Sequence, residues 1–242
     1  MRANRFLAIR CWPTSSRTMR FVIGMDIEAI ERFDIHAGSA GCARSASRVY
    51  LRLDDGEAFE LLLAPRAAKA LSSKDLPFPL DMDEALERIM GIESTACLAS
   101  LAELQARRDH SSMELESKLR AMGFRDEAIA RAIELGRERR YLDDRRFSSS
   151  FIAERKRRGW GRKKIEFELK RRGICLSDIP GYPDGFFDSS EDYERAIEAL
   201  RRKSVPEAQA FEKLTRFLMG RGFDYSTSSR AVRSFLDSES EA

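Results

Sequence analysis

Apolar residues recur along this chain in two rhythms. Between residues 49 and 63 they alternate with polar ones, Val49, Leu51 and Leu53 before Asp54-Asp55-Gly56 and Phe59, Leu61 and Leu63 after it, which predicts a β-hairpin. Both apolar sets carry odd numbers, so they share a face only if the connection holds an odd number of residues. A three-residue Asp54-Asp55-Gly56 loop with Gly56 in the left-handed bulge position meets that condition, whereas a two-residue turn would set Phe59 opposite Arg52. From about residue 93 the spacing becomes three to four, and it repeats at long range. With Leu115, Ile165 and Leu214 in register, Leu119, Leu169 and Leu218 follow four residues on, Gly123, Gly173 and Gly222 eight on, and Phe124, Ile174 and Phe223 nine on. Each copy thus holds a helix with one apolar seam and one kind of stop, a glycine in the left-handed C′ position followed by an apolar side chain that folds back on the last turn. Upstream of the glycines, Cys97/Leu101, Phe147/Phe151 and Ala196/Leu200 mark an earlier amphipathic helix in every copy.

A fixed period of about 50 residues decides the fold before local propensity does. The pattern predicts a mainly α protein: tandem three-helix repeats in an elongated array, with a small N-terminal β-hairpin. The expected organisation is a disordered leader over 1–25, a hairpin and helix region over 26–92, repeats over 93–140, 141–188 and 189–237, and a solvated tail over 238–242. Met19 and Met25 are alternative starts. From Asp26 the pattern Ile27 to Glu31 fits a strand or a helical turn, and a short helix is expected after Pro65. Capping pairs Asp81/Glu84, Ser111/Glu114 and Ser204/Glu207 predict helix starts, the last with Pro206 in the first turn. In the second repeat, Pro180-Gly181 and Pro183-Asp184-Gly185 shorten the third helix to a stub, followed by an irregular connector through Phe187.

Composition changes this picture little, charge placement more. At 242 residues, 43% hydrophobic and 34% charged, the chain suits a helix-rich protein with a real core. Its net charge of +3 hides a strong asymmetry: residues 137–172 hold fifteen Lys/Arg against six Asp/Glu, a local +9. A polyanion or an acidic protein surface is the natural partner for such a segment. The four cysteines lack C-x-x-C spacing and the two histidines, His36 and His110, lie far apart, so no metal site is expected and reduced thiols are the default, with Cys97 as a small buried one. No apolar run approaches the roughly 18 residues of a membrane span, and the chain reads as a cytoplasmic protein without membrane contact.

The sequence lacks phosphate-loop, dinucleotide, zinc-protease and nucleophile-elbow motifs, so neither an enzyme, a cofactor nor a small-molecule substrate is expected. Asp143-Asp144 is the conspicuous acidic pair. Ahead of an amphipathic helix, one Asp is expected to cap it and the other to favour its dipole. The basic run is the candidate site: Arg155, Lys156, Arg157 and Arg158 end one helix, Gly159-Trp160-Gly161 turns, Arg162, Lys163 and Lys164 begin the next, and Lys170, Arg171 and Arg172 close it. Cations suit helix C-termini, but Arg162 to Lys164 stand at an N-terminus, where the dipole disfavours them, which points to an anionic partner. Trp160 is either a core plug at the turn or an exposed anchor.

The segment Tyr141-Leu-Asp143-Asp144-x-x-Phe147, followed by Gly161-x-x-x-Ile165-x-x-x-Leu169-x-x-x-Gly173-Ile174, resembles the signature of the RecX regulatory proteins of bacterial homologous recombination. The resemblance extends over about 27–236. It departs from the family in the leader, in extra residues between Gly136 and Tyr141, and in the Pro/Gly-rich stub after Ile174. It implies a monomeric, non-enzymatic modulator that binds the RecA recombinase filament along its groove and lowers ATP hydrolysis, strand exchange and co-protease activity in DNA repair and the SOS response. Single- or double-stranded DNA is a further expected partner. Two other readings compete: a helix-turn-helix-like protein that binds DNA without RecA, and a protein scaffold that touches no nucleic acid.

Overall fold

The computed structural model describes residues 29–36, 46–53, 58–74 and 79–240. The expected leader, the Asp54-Asp55-Gly56 loop, Cys11 and Cys42 lie outside them. The protein is mostly helical, with a small antiparallel sheet near its N-terminus. The sheet has the order β3-β2-β1-β4, from β1 (Ala29–His36), β2 (Ser47–Leu53), β3 (Ala58–Leu63) and β4 (Leu80–Asp81). The hairpin register places Leu51 opposite Phe59 and Val49 opposite Leu61, as parity requires. Within the segment that the sequence left open, the described residues from Ala29 onward form a strand, flanked by β2 and β4.

The helices are α1 (Pro65–Ser72), α2 (Met82–Arg107), α3 (Ser112–Ala121), α4 (Asp126–Glu138), α5 (Asp144–Arg157), α6 (Arg162–Arg171), α7 (Ser189–Arg201), α8 (Ala210–Gly220) and α9 (Tyr225–Ser240). A single 3-10 turn, Leu176–Asp178, stands where a third helix of the middle copy would be. The chain forms two compact units, one of the described residues up to Arg108 together with Leu115–Leu142, the other of Asp109–Glu114 and the described residues from Asp143 onward.

In the first unit Val49, Leu51, Leu61 and Leu63 turn one face of the sheet onto Ala67, Ala68 and Leu71 of α1. α2 is a single helix of 26 residues, so the boundary expected at 92/93 falls inside it. Asp81 caps it, accepting from the N–H groups of Asp83 at 2.9 Å and Glu84 at 3.3 Å. Its buried positions Ala85, Ile89, Ile92, Ala96 and Cys97 continue the core seam through Gly91. A helical glycine costs about 1 kcal/mol, less than the roughly 2 kcal/mol contributed by each large apolar side chain buried along the seam.

The three glycine stops are the same motif three times. Gly123, Gly173 and Gly222 have φ of 89°, 74° and 93°. The following N–H groups of Phe124, Ile174 and Phe223 reach back to the carbonyls of Leu119, Leu169 and Leu218 at 3.3, 3.1 and 3.2 Å, and all three apolar side chains are buried. The expected cap at Ser204/Glu207 is not formed: the chain from Arg202 to Gln209 is irregular and α8 starts only at Ala210, after Gln209 in the left-handed region. Pro206 disfavours helical backbone at Val205 before it, which moves the start beyond the apparent box.

The second unit holds two apolar clusters. Ala196, Leu200, Leu214, Leu218, Phe223 and Val232 join α7, α8 and α9. Phe147, Phe151, Ile152, Ile165, Leu169, Ile174 and Ile179 join α5 and α6, and half-buried Tyr182, Phe186 and Phe187 of the connector supply the cover that a full third helix gives elsewhere.

Candidate partner-binding site on α5 and α6

Asp143 caps α5, its carboxylate accepting from the N–H groups of Arg145 at 2.9 Å and Arg146 at 3.0 Å. Asp144 accepts from the Ser112 N–H at 2.8 Å and from the Ser112 hydroxyl, tying the segment 109–114 to α5. At its other end α5 closes on the Gly159 turn: Gly159 has φ of 72° and the Trp160 N–H reaches the Arg155 carbonyl at 3.0 Å. Trp160 is therefore the apolar residue that folds back on the last turn, half-buried against the α5–α6 cluster. Its ring lies between two cations, with Arg155 at 4.9 Å and the Lys164 ammonium at 4.4 Å from the centroid. Arg155 also stacks on Phe151 at 4.7 Å, and its Nε is buried without a hydrogen-bond partner.

The start of α6 has a cause that the sequence does not display. The Gly161 N–H donates to the Arg221 carbonyl at 2.8 Å, and the Lys163 N–H to the Gly222 carbonyl at 3.0 Å. The negative end of α8 thus faces the positive end of α6, which offsets the dipole penalty on Arg162, Lys163 and Lys164. Cations at this N-terminus accordingly have an internal compensation in addition to the anionic partner to which their placement points. The equivalent position one repeat earlier does the same with a side chain: the Ser111 hydroxyl donates to the Arg172 carbonyl at 2.8 Å and accepts the Glu114 N–H at 3.2 Å.

The eleven candidate residues divide into three groups, with Lys164 belonging to the first through its contact with the Trp160 ring. Lys156, Arg155 and Arg172 serve the fold. The Lys156 ammonium donates to the Phe186 carbonyl and to Glu191, both at 2.6 Å, and Arg172 pairs with Glu168 and with Glu114 at 3.2 Å. Trp160 joins them as a plug. Arg158, Arg162 and Arg171 form exposed pairs within one helix, with Glu154, with Glu166 at 2.7 Å and with Glu168 at 3.2 Å. Such pairs are worth only a few tenths of a kcal/mol and leave the cation available. Among the described residues Arg157, Lys163 and Lys170 are exposed and make no ion pair. The Arg162–Glu166 pair also holds the connector, since the Tyr182 hydroxyl donates to Glu166 at 2.6 Å. Burial, with that hydrogen bond, pushes the Tyr182 phenol well above its usual range.

Residues from other helices complete the site. Arg195 donates to the Trp160 carbonyl at 2.7 Å and Arg221 to the Arg158 carbonyl at 3.2 Å, so α7 and α8 fix the turn between α5 and α6. Beside it lies a cleft of about 570 Å³ whose lining includes Ile152, Phe186 and Ala199 together with Arg157, Arg158, Arg202 and Arg221. Phe167 carries no charge and so lies outside the basic pattern. It sits on α6 two residues past the seam residue Ile165 and is 62% exposed. Of the motif residues, Phe147, Ile165, Leu169 and Ile174 are core, Gly161 and Gly173 make turns, and Tyr141 is exposed. Among the described residues no group of side chains is arranged to hold a metal, and no helix is long and apolar enough to cross a membrane.

The family model for the second three-helix domain of RecX matches residues 143–179, the segment just described. The chain is similar to the regulatory protein RecX of Chlorobaculum tepidum, at 34% identity over 61% of this chain and 93% of the relative. It is also similar to that of Ectopseudomonas mendocina, at 35% over 54% and 89%. The crystal structure of RecX from Lactobacillus salivarius shares the fold, with a TM-score of 0.50 at 16% identity, over 59% of this chain and 96% of that one. The glycine-terminated helices, the Asp143-capped α5 and these relatives together place the chain in the RecX family of regulatory proteins.

Proposed function

We propose that this protein is a non-enzymatic cytoplasmic regulator that binds RecA on its nucleoprotein filament and lowers its ATPase, strand-exchange and co-protease activities. The observation that carries the reading is the set of exposed cations on α5 and α6 within a RecX-family chain: Arg157, Lys163 and Lys170 without ion pairs, and Arg158, Arg162 and Arg171 in weak ones. An acidic filament surface or the DNA within it would be met by these side chains, while Lys156 and Arg172 hold the platform. The test is RecA ATPase on single-stranded DNA with substoichiometric protein, wild type against the triple reversal R157E/K163E/K170E. None of these three side chains makes a hydrogen bond or ion pair among the described residues, so the helical circular dichroism should be unchanged and inhibition should weaken at least about tenfold, each reversal costing the encounter electrostatics. Undiminished inhibition would remove this face from the interface. A mobility shift on duplex DNA alone separates the helix-turn-helix reading, which requires tight binding without RecA.

A further inference from the structure

The outer face of α6 carries an aromatic ring where a soluble helix normally carries a polar residue. Phe167 is 62% exposed and is separated from the core seam of Ile165 and Leu169. Four residues before it stands Lys163 and three after it Lys170, both on the same helical surface as the ring and both exposed without an ion pair among the described residues. The carboxylates on either side are occupied. Glu166 accepts from Arg162 at 2.7 Å and from Tyr182 at 2.6 Å, and Glu168 is engaged by Arg172 and Arg171. With those carboxylates paired, the two side chains that flank the ring outside any ion pair are positive, each with only a longer-range attraction to a carboxylate, Lys163 to Asp224 and Lys170 to Glu166. A bare aromatic ring between two ammonium groups matches a ligand that alternates flat π-faces with anions along its length.

We infer that Phe167 is a base-stacking platform for single-stranded DNA, with Lys163 and Lys170 receiving the phosphates on either side of the stacked base. The inference rests on the reading of the protein as a regulator of a DNA-bound recombinase, which selects DNA over other strands with the same chemistry. It adds to that reading a direct contact with the nucleic acid. Stacking is indifferent to base identity, so the contact confers strand preference, single over duplex, without sequence choice. In a duplex the bases stack on each other and Phe167 has no face to meet.

The test uses the full chain and no RecA: equilibrium binding by filter retention to oligo(dT) of about twenty nucleotides, to an abasic strand of equal length, to duplex and to oligo(U). For F167A the expected loss on oligo(dT) is about tenfold, with no change on the abasic strand, while F167W retains wild-type affinity. K163E/K170E should weaken both strands alike. An unchanged affinity of F167A for oligo(dT), an equal loss on the abasic strand, or duplex bound as tightly as single strand would overturn the proposal. Tighter binding to oligo(U) would overturn the assignment to DNA. The regulatory reading is judged separately, by the wild-type effect on RecA ATPase, so the failure of either is recognisable without the other.

Discussion

Gly161 and Gly222 meet backbone to backbone, 61 residues apart in sequence, with no side chain from either between them. A Cβ on Gly161 would lie 2.3 Å from the Gly222 carbonyl carbon, and one on Gly222 would lie 2.4 Å from the Lys164 N and Cβ. Gly161→Ala should therefore destabilise the second unit by about 2 kcal/mol or more, as overpacking does when neither partner is a movable side chain. Gly222→Ala should cost more, because its φ of 93° also excludes an L side chain. Urea unfolding followed by circular dichroism measures both, and a cost below about 0.5 kcal/mol for Gly161→Ala would contradict this contact.

In the first unit Glu93 is buried and receives the Arg125 side chain at 2.6 Å and the Arg125 backbone N–H at 3.3 Å, so a carboxylate from α2 caps α4. Arg125→Met leaves that charge without its partner and should cost about 3 kcal/mol. The double change Glu93→Gln with Arg125→Met should recover most of the loss. Thermal unfolding of Arg125→Met, Glu93→Gln and the double variant tests whether the pair or the cap carries the effect.

Lys156 ties the connector to α5 through the Phe186 carbonyl and Glu191. Lys156→Met keeps the stem but removes both contacts, and the expected global cost is only about 1 kcal/mol because Glu191 is largely exposed. The local effect should be larger: amide exchange over 183–191 should quicken while that of α5 stays slow.

Cys97 and Cys175 should differ in reactivity. Burial, helped by the Glu93 carboxylate, pushes the Cys97 thiol up to about 12, whereas Cys175 is exposed. With a thiol reagent at about pH 8, peptide mapping should find Cys175 modified promptly and Cys97 only after unfolding.

Acid should loosen the second unit. The hydrogen bonds from Ser190 and Glu191 hold Asp188 below the usual carboxylate range, and those from Arg172 do the same for Glu168. A depressed folded value means that the stabilisation is present above the unfolded value of about 4 and is lost as pH falls through the folded one. The unfolding midpoint should be flat from about pH 6 to 8 and decline below about pH 4, with Asp188→Asn removing part of the slope.

What was readable in the sequence was local or periodic. The Gly123, Gly173 and Gly222 stops and the Asp143 cap each close hydrogen bonds within six residues, so a short window holds all the participants. The β2–β3 register followed from parity alone. The joint between Gly161 and Arg221-Gly222 was hidden because it is made of main chain, and main chain leaves no residue signature beyond the glycine that permits it. Ser204/Glu207 matched a capping pair, yet Pro206 acted on the residue before it and the helix began later. Phe167 is legible in principle, being an apolar residue off the seam set by Ile165 and Leu169, but it carries no charge and so adds nothing to the basic pattern around it. Charge counting also grouped Lys156 and Arg172 with the exposed cations, since their acceptors Glu191, Phe186 and Glu114 arrive from distant parts of the chain.

The closure of α6 onto the carbonyls of Arg221 and Gly222 has one more consequence. Two main-chain amides that could have gripped an incoming anion at a fixed spacing are already consumed, and Gly222 covers a third at Lys164. A partner docked here as proposed would be held by long, jointed lysine and arginine stems, which trade rigid geometry for compliance. A surface of that kind tolerates a partner whose pitch stretches and shortens, keeping hold of it through the change.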